Sequence, residues 1–257
     1  MKYEHMQKGI FLSRPNRFIA NVLITNKNGQ EETVVCHVKN TGRCRELLIP
    51  GVTVLVQFHP EAALLGRKTQ YSLIGVWKER EEGPLLINMD SQAPNQAAYE
   101  WLLSGNASLP YGKENIETTK LVEGIQNIKR EVTYGQSRFD LAFQTVNPEF
   151  SAFMEVKGVT LEEEDGLAMF PDAPTLRGVK HVEELVKAHE AGYEAYILFV
   201  IQMKEMTGFA PNRKTHPEFA KALLEAKRGG VHILAYDCIV TATSMTLDKA
   251  VPVLLDE

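Results

Sequence analysis

Arg138-Phe139-Asp140-Leu141-Ala142-Phe143-Gln144 and Ala152-Phe153-Met154-Glu155-Val156-Lys157, with fourteen residues between Asp140 and Glu155, read as two strands. Side chains alternate between the faces of a strand. In the first run Phe139, Leu141 and Phe143 share a face, and Asp140 points the other way. In the second Met154 and Val156 share a face, and Glu155 and Lys157 share the opposite one. Two such strands side by side bring Asp140, Glu155 and Lys157 into one pocket at a sheet end. That is the set a metal-dependent phosphodiesterase needs: two carboxylates to hold a divalent cation and an ammonium beside them. Mg²⁺ takes a few carboxylates and completes its shell with water and substrate phosphates. The same three residues, taken alone, also fit a solvated strand face carrying a Glu–Lys pair.

Working outward, Ile128–Tyr134 reads as a strand before this pair. Thr175–Ala191 reads as an amphipathic helix closed by Gly192. Tyr193–Gln202 reads as a strand apolar on both faces, Pro217–Arg228 as a helix ended by Gly229-Gly230, and Val231–Tyr236 as a further strand. A helix begins at Pro94, where a first turn tolerates proline, and stops near Gly105. Strands alternating with helices predict a mixed α/β sheet covered on its faces.

Upstream the rhythm differs. Arg17–Thr25, Thr33–Val38, Val52–Phe58, Gln70–Trp77 and Leu85–Asn88 are short apolar or β-branched runs, parted by Asn28-Gly29, Pro50-Gly51 and Gly66. Their spacing predicts a small antiparallel barrel. Asn40–Leu47 interrupts them as a turn or a helical stub. The expected boundary lies near residue 90, giving a barrel over 1–90 and an α/β domain over 91–257.

The chain has 257 residues, 44% of them hydrophobic and 24% charged, as in a soluble globular protein. Its longest apolar run, Ala195–Ile201, is too short to span a bilayer, and its N-terminus has no apolar core. Three cysteines without a zinc-type spacing add to the expectation of a reduced, cytoplasmic setting. The net charge is −5, but residues 1–78 carry 11 Lys and Arg against 5 Glu, while the remainder carries 17 against 28 acidic residues. A basic front half on an acidic chain suggests a surface for phosphates.

Lys129-Arg130-Glu131-Val132, Ser137-Arg138-x-Asp140, Glu155-Val156-Lys157-Gly158-Val159-Thr160-Leu161 and Phe170-Pro171-Asp172-Ala173-Pro174-Thr175-x-Arg177-Gly178-x-Lys180-His181 resemble the sugar fermentation stimulation protein A (SfsA) family. So do Arg14-x-x-Arg17-Phe18, His37-x-x-Asn40-Thr41-Gly42 and Phe209-Ala210-Pro211, so the resemblance runs over nearly the whole chain. Met89-Asp90 after Asn88, and Thr215-His216 before Pro217, depart from the family's usual residues. The resemblance implies an N-terminal OB-like barrel and a C-terminal PD-(D/E)xK, restriction-endonuclease-like α/β domain. It also implies DNA binding with little sequence preference and a link to sugar utilisation. It puts the catalytic set on Asp140, Glu155 and Lys157, with Mg²⁺ or Mn²⁺ on the two acids. A metal-dependent nuclease and a non-catalytic DNA-binding regulator of sugar (maltose) metabolism are the two functions it supports. RNA stays open as an alternative to DNA, and a homodimer as an oligomeric state; no membrane partner is expected.

Arg14, Arg17, Lys39, Arg43 and Arg45 in the barrel, with Arg177 and Lys180, are the candidates for phosphate contacts. Arg67 and Lys68 could join them. Phe18 and Phe58 read as barrel core rather than as base-stacking rings; Phe11 and Tyr71 remain candidates for stacking. Glu131 is a third acid at the site or, by preference, a surface residue. Asp172 and Arg177 are equally open to pairing with each other. His181 reads as a core or capping histidine before a catalytic one, and His37 as structural.

Overall fold

Val34, Cys36 and Val38 of strand β3 (Glu31–Val38) are buried while Val35 is 48% exposed, the alternation of a strand with one face on a core. The computed structural model describes residues 1–40, 42, 44–112, 120–162 and 166–255. The chain divides into two compact units. One holds Met1–Ala93 with Gln202–Glu205 and Cys238–Thr246; the other holds Pro94–Ile201, Met206–Asp237 and Leu247–Glu257.

In the first unit β1 (Met6–Asn16), β2 (Ile19–Thr25), β3, β4 (Thr53–Phe58), β5 (Tyr71–Lys78) and β6 (Leu85–Asn88) form one sheet in the order β3-β2-β1-β4-β5-β6. β3 also pairs in parallel with β5 through Cys36–Tyr71, His37–Ser72 and Val38–Leu73, which closes a five-strand OB-like barrel. β1, not anticipated as a strand, pairs with both β2 and β4. Its apolar run is short and flanked by Gly9 and Pro15, so alternation alone hides it. Gly9 is needed there, because a Cβ would lie 2.5 Å from Val22 Cγ1 and 2.8 Å from the Leu23 carbonyl oxygen. Arg45–Leu47 is a turn, not a helical stub. Phe18, expected in the core, is 44% exposed with the Arg17 guanidinium 4.8 Å from its ring, whereas Phe11 is 1% exposed. The two-residue turn at Arg17-Phe18 lies outside the ladder and holds its aromatic ring away from the barrel interior.

In the second unit, helix α1 (Ala93–Leu103) precedes three antiparallel strands, β7 (Glu123–Tyr134), β8 (Ser137–Asn147) and β9 (Phe150–Val159). Short strands β10 (Leu161–Glu162) and β11 (Leu167–Phe170) follow, then helix α2 (Leu176–Glu190) and strand β12 (Glu194–Ile201). β13 (Gly208–Pro211), α3 (Pro217–Arg228), β14 (His232–Val240) and β15 (Met245–Ala250) complete it. The main sheet runs β15-β14-β12-β9-β8-β7, and β9, β12 and β14 are parallel neighbours. β10, β11 and β13 make a small second sheet. Ala195–Ile201 are fully buried, as a strand apolar on both faces requires. α2 starts because the Thr175 hydroxyl accepts from Gly178 N at 3.0 Å, and it packs on β9 and β12. Among the described residues no helix is long and apolar enough to cross a membrane. Cys36, Cys44 and Cys238 are buried.

Candidate functional site

Phe139, Leu141 and Phe143 are all at or below 2% exposure, so β8 does send Asp140 to the opposite face. The β8–β9 ladder runs from Thr145–Phe150 to Leu141–Met154. One residue beyond that last pair the Asp140 carboxylate replaces a backbone acceptor: its Oδ2 takes the Val156 amide at 2.8 Å. Its Oδ1 accepts from Asn95 Nδ2 of α1 at 2.6 Å. Asp140 is thus held from two sides where the strands part.

Glu155 of β9 is 2% exposed. Its Oε1 accepts from Lys157 Nζ at 2.5 Å and is also hydrogen-bonded to Nδ1 of His181, which α2 supplies. Its Oε2 is buried with no partner. An ionised oxygen in that state costs on the order of 1–3 kcal/mol or more, and such an atom calls for an explanation such as an ion.

The two carboxylates sit in unlike fields. Burial raises the pKa of Asp140, and the neighbouring charge of Glu155 raises it further, against the Val156 amide, Lys157 and Asn95. Burial opposes the charge on Glu155 too. There the hydrogen bond from His181 and the Lys157 ammonium prevail and hold its pKa below the ordinary value. Glu155 is the standing anion and Asp140 the one whose charge needs a further cation nearby.

A cation fits this donor set. Glu155 Oε2 is unpartnered, and each Asp140 oxygen keeps lone-pair capacity beyond the single hydrogen bond it accepts. Among the described residues no group of three or more His, Cys, Asp or Glu could hold a metal. Two carboxylates therefore suit a hard cation that fills its shell with water and phosphate oxygens, and not a closed zinc cage.

The remaining expected residues scatter. Glu131 is exposed, sits at φ +54 and pairs with the exposed Arg138. Asp172 is exposed, and no Asp172–Arg177 ion pair forms among the described residues. Lys180 and Arg177 are exposed on α2, with Arg177 Nε donating to His181 Nε2 at 3.3 Å. His181, expected as core or cap, is 8% exposed and bound to Glu155, while Thr175 does the capping.

In the barrel, Arg14 is not a free phosphate ligand. One of its terminal nitrogens donates to the carbonyls of Arg17, Asn40 and Gly42, tying two loops together. Lys39 is likewise committed, 2.8 Å from a fully buried Asp90 carboxylate. Arg67 donates to Ser72 Oγ at 2.9 Å. Arg17 and Arg45 are exposed. Arg43 lies outside the described residues. Asn95 is not marked by any motif; the one sequence signal for it is a polar side chain directly after Pro94 at a helix start.

Residues 12–85 match a family model described as the SfsA N-terminal OB domain. Residues 92–244 match one described as the sugar fermentation stimulation protein RE domain. A sugar fermentation stimulation protein homolog of Desulfitobacterium hafniense (strain Y51) is 53% identical over 257 residues, all of each chain. One of Alkaliphilus oremlandii (strain OhILAs) is 51% identical over 255 residues, 98% of each. A solved structure described as Pyrococcus furiosus SfsA in complex with Ca²⁺ is 27% identical, with a TM-score of 0.79 over 99% of this chain and 98% of that one.

Proposed function

The chain belongs to the sugar fermentation stimulation protein family, and from that premise we propose that it is a DNA-binding protein with a divalent-metal-dependent phosphodiesterase site. The observation that carries this reading is the buried, unpartnered Glu155 Oε2 beside Asp140. A site built only to bind does not need a buried acid, a half-buried acid and a lysine together. The Ca²⁺ complex of the Pyrococcus furiosus relative supports a divalent cation for this fold.

In this reading Asp140 and Glu155 hold Mg²⁺ or Mn²⁺. The bound ion supplies acidification of a water and stabilisation of the charge that builds on the phosphate. Asn95 and the Val156 amide keep the Asp140 carboxylate oriented. Lys157 offsets the repulsion between the acids and stands beside Glu155 to neutralise charge or orient water. Arg17 and Arg45 of the barrel and Lys180 of α2, all exposed, contact backbone phosphates without reading sequence.

The relatives' name speaks of sugar fermentation, and a second reading built on that link is a protein that binds DNA and regulates sugar use without turnover. A cleavage assay separates the two. Protein with and without Mg²⁺ or Mn²⁺ is incubated with single-stranded, duplex and branched DNA and with RNA, beside Glu155→Gln. Metal-dependent cutting absent from the variant establishes the phosphodiesterase and its substrate. Binding without cutting under every condition supports the regulator.

A further inference from the structure

Two consecutive hydrogen bonds reach Glu155 from α2. Arg177 Nε donates to His181 Nε2 at 3.3 Å, and His181 Nδ1 meets Glu155 Oε1. Arg177 and His181 are four residues apart, so they share one face of the helix. The first bond dictates the second. A guanidinium nitrogen only donates, so His181 Nε2 must accept through its lone pair and carry no proton. The proton of the neutral ring is then on Nδ1 and lies between the ring and Glu155. Lys157 meets the same Oε1 at 2.5 Å. Two donors converge on one oxygen of Glu155 and none reaches the other.

We infer that His181 is a positioning residue for Glu155, locked as its Nδ1–H tautomer by Arg177, and that the pair reserves Oε2 for the cation. The inference rests on the reading of Asp140 and Glu155 as metal ligands. An ammonium turns freely and does not by itself choose between carboxylate oxygens. A buried imidazole anchored at its far nitrogen does, because ring plane and donor direction are both set. His181 is 8% exposed and its only lone pair is taken by Arg177, so it does not carry protons for the reaction. Arg177 acts through His181, and its inner nitrogen is engaged whether or not a phosphate reaches its outer edge.

The test uses the full chain, labelled with ¹⁵N-histidine and free of metal, at neutral pH. Long-range ¹H–¹⁵N correlation is expected to show a pyrrole-type Nδ1 and a pyridine-type Nε2 for His181. Arg177→Ala is expected to release the ring into a mixture of tautomers. Mn²⁺ affinity, measured by calorimetry, is the second readout. His181→Gln is expected to weaken it by roughly 10- to 100-fold, the usual effect of losing a group that orients a ligand. His181→Asn, whose amide nitrogen stands where Nδ1 stood, is expected to restore most of it. A pyridine-type Nδ1, two protonated nitrogens, or His181→Asn no better than His181→Gln would overturn the relay. If the wild-type chain binds no Mn²⁺, the metal reading falls, and with it the purpose of the relay. Loss of the tautomer with Mn²⁺ binding intact would instead remove the relay alone.

Discussion

Asn95, near the start of α1, donates from Nδ2 to Oδ1 of Asp140 at 2.6 Å, across 45 residues of chain. The bond leaves Asp140 held at both oxygens, since Oδ2 takes the Val156 amide. Asn95→Ala removes one holder and leaves Oδ1 of the half-buried carboxylate without its side-chain partner. Cleavage is expected to fall about 10- to 100-fold, with the Mn²⁺ requirement rising in parallel. Asn95→Asp, which sets a second charge against Asp140, is expected to lose more. Metal-titrated cleavage rates check both.

Asp140 has a raised pKa, first because it is buried and then because Glu155 is near. The folded state holds this proton more tightly than the unfolded chain. The ionised group therefore destabilises the fold at neutral pH, and that penalty disappears as pH falls through the folded value. Asp140→Asn removes the charge while keeping an acceptor for the Val156 amide; the Asn95 amide can turn to accept. The variant is expected to lose cleavage and to melt higher at pH 7, by about 2–4 °C for each kcal/mol relieved in a chain of this size. Scanning calorimetry at pH 7 without metal tests it; a lower midpoint would contradict the burial argument.

Lys39 and the exposed arginines of the barrel are expected to respond in opposite ways. Lys39→Met strands the fully buried Asp90 without its cation. It is expected to cost about 3–5 kcal/mol of stability. Arg17→Ala with Arg45→Ala touches no buried charge, so stability should hold. DNA affinity should drop on every sequence, and the slope of log affinity against log salt should fall by about 2. Denaturation curves and salt-titrated binding, run on both variants, distinguish a structural cation from phosphate ligands.

Half-buried Glu194 and buried His232, 3.0 Å apart, lie away from the proposed chemistry. Burial works against the Glu194 charge, but the hydrogen bond and charge of His232 outweigh it and lower the pKa. A depressed carboxyl contributes stability above its unfolded value, near pH 4.5, and loses it as pH falls through the folded value. Glu194→Gln is expected to melt about 2–4 °C lower at pH 7, equivalent to roughly 1 kcal/mol. The difference should vanish at acid pH, below the folded value. Melting curves of both forms across that range check the sign.

The alternation of Phe139, Leu141 and Phe143 with Asp140 is a property of adjacent residues, so β8 and the outward turn of its aspartate were legible directly. The same holds for Glu155 with Lys157, for β12 with apolar residues on both faces, and for the amphipathic α2. A small barrel was legible from evenly spaced short strands, and its OB-like character from the family resemblance, but β1 was not legible, because a strand with Gly9 and Pro15 carries little alternation.

Local order of this kind says which face a side chain takes, and the amino-acid sequence by itself determined that much. It does not say what that face meets. Only the tertiary structure decided that Asn95 holds Asp140, that His181 reaches Glu155 and that Lys39 answers Asp90. It also decided that Phe18 lies outside the barrel core. These partners stand 45, 26 and 51 residues apart. The first two meetings depend on where the β8–β9 ladder stops and on how α2 packs over β9. Register and packing are settled by the burial of the whole sheet at once, and no window of neighbouring residues contains that information.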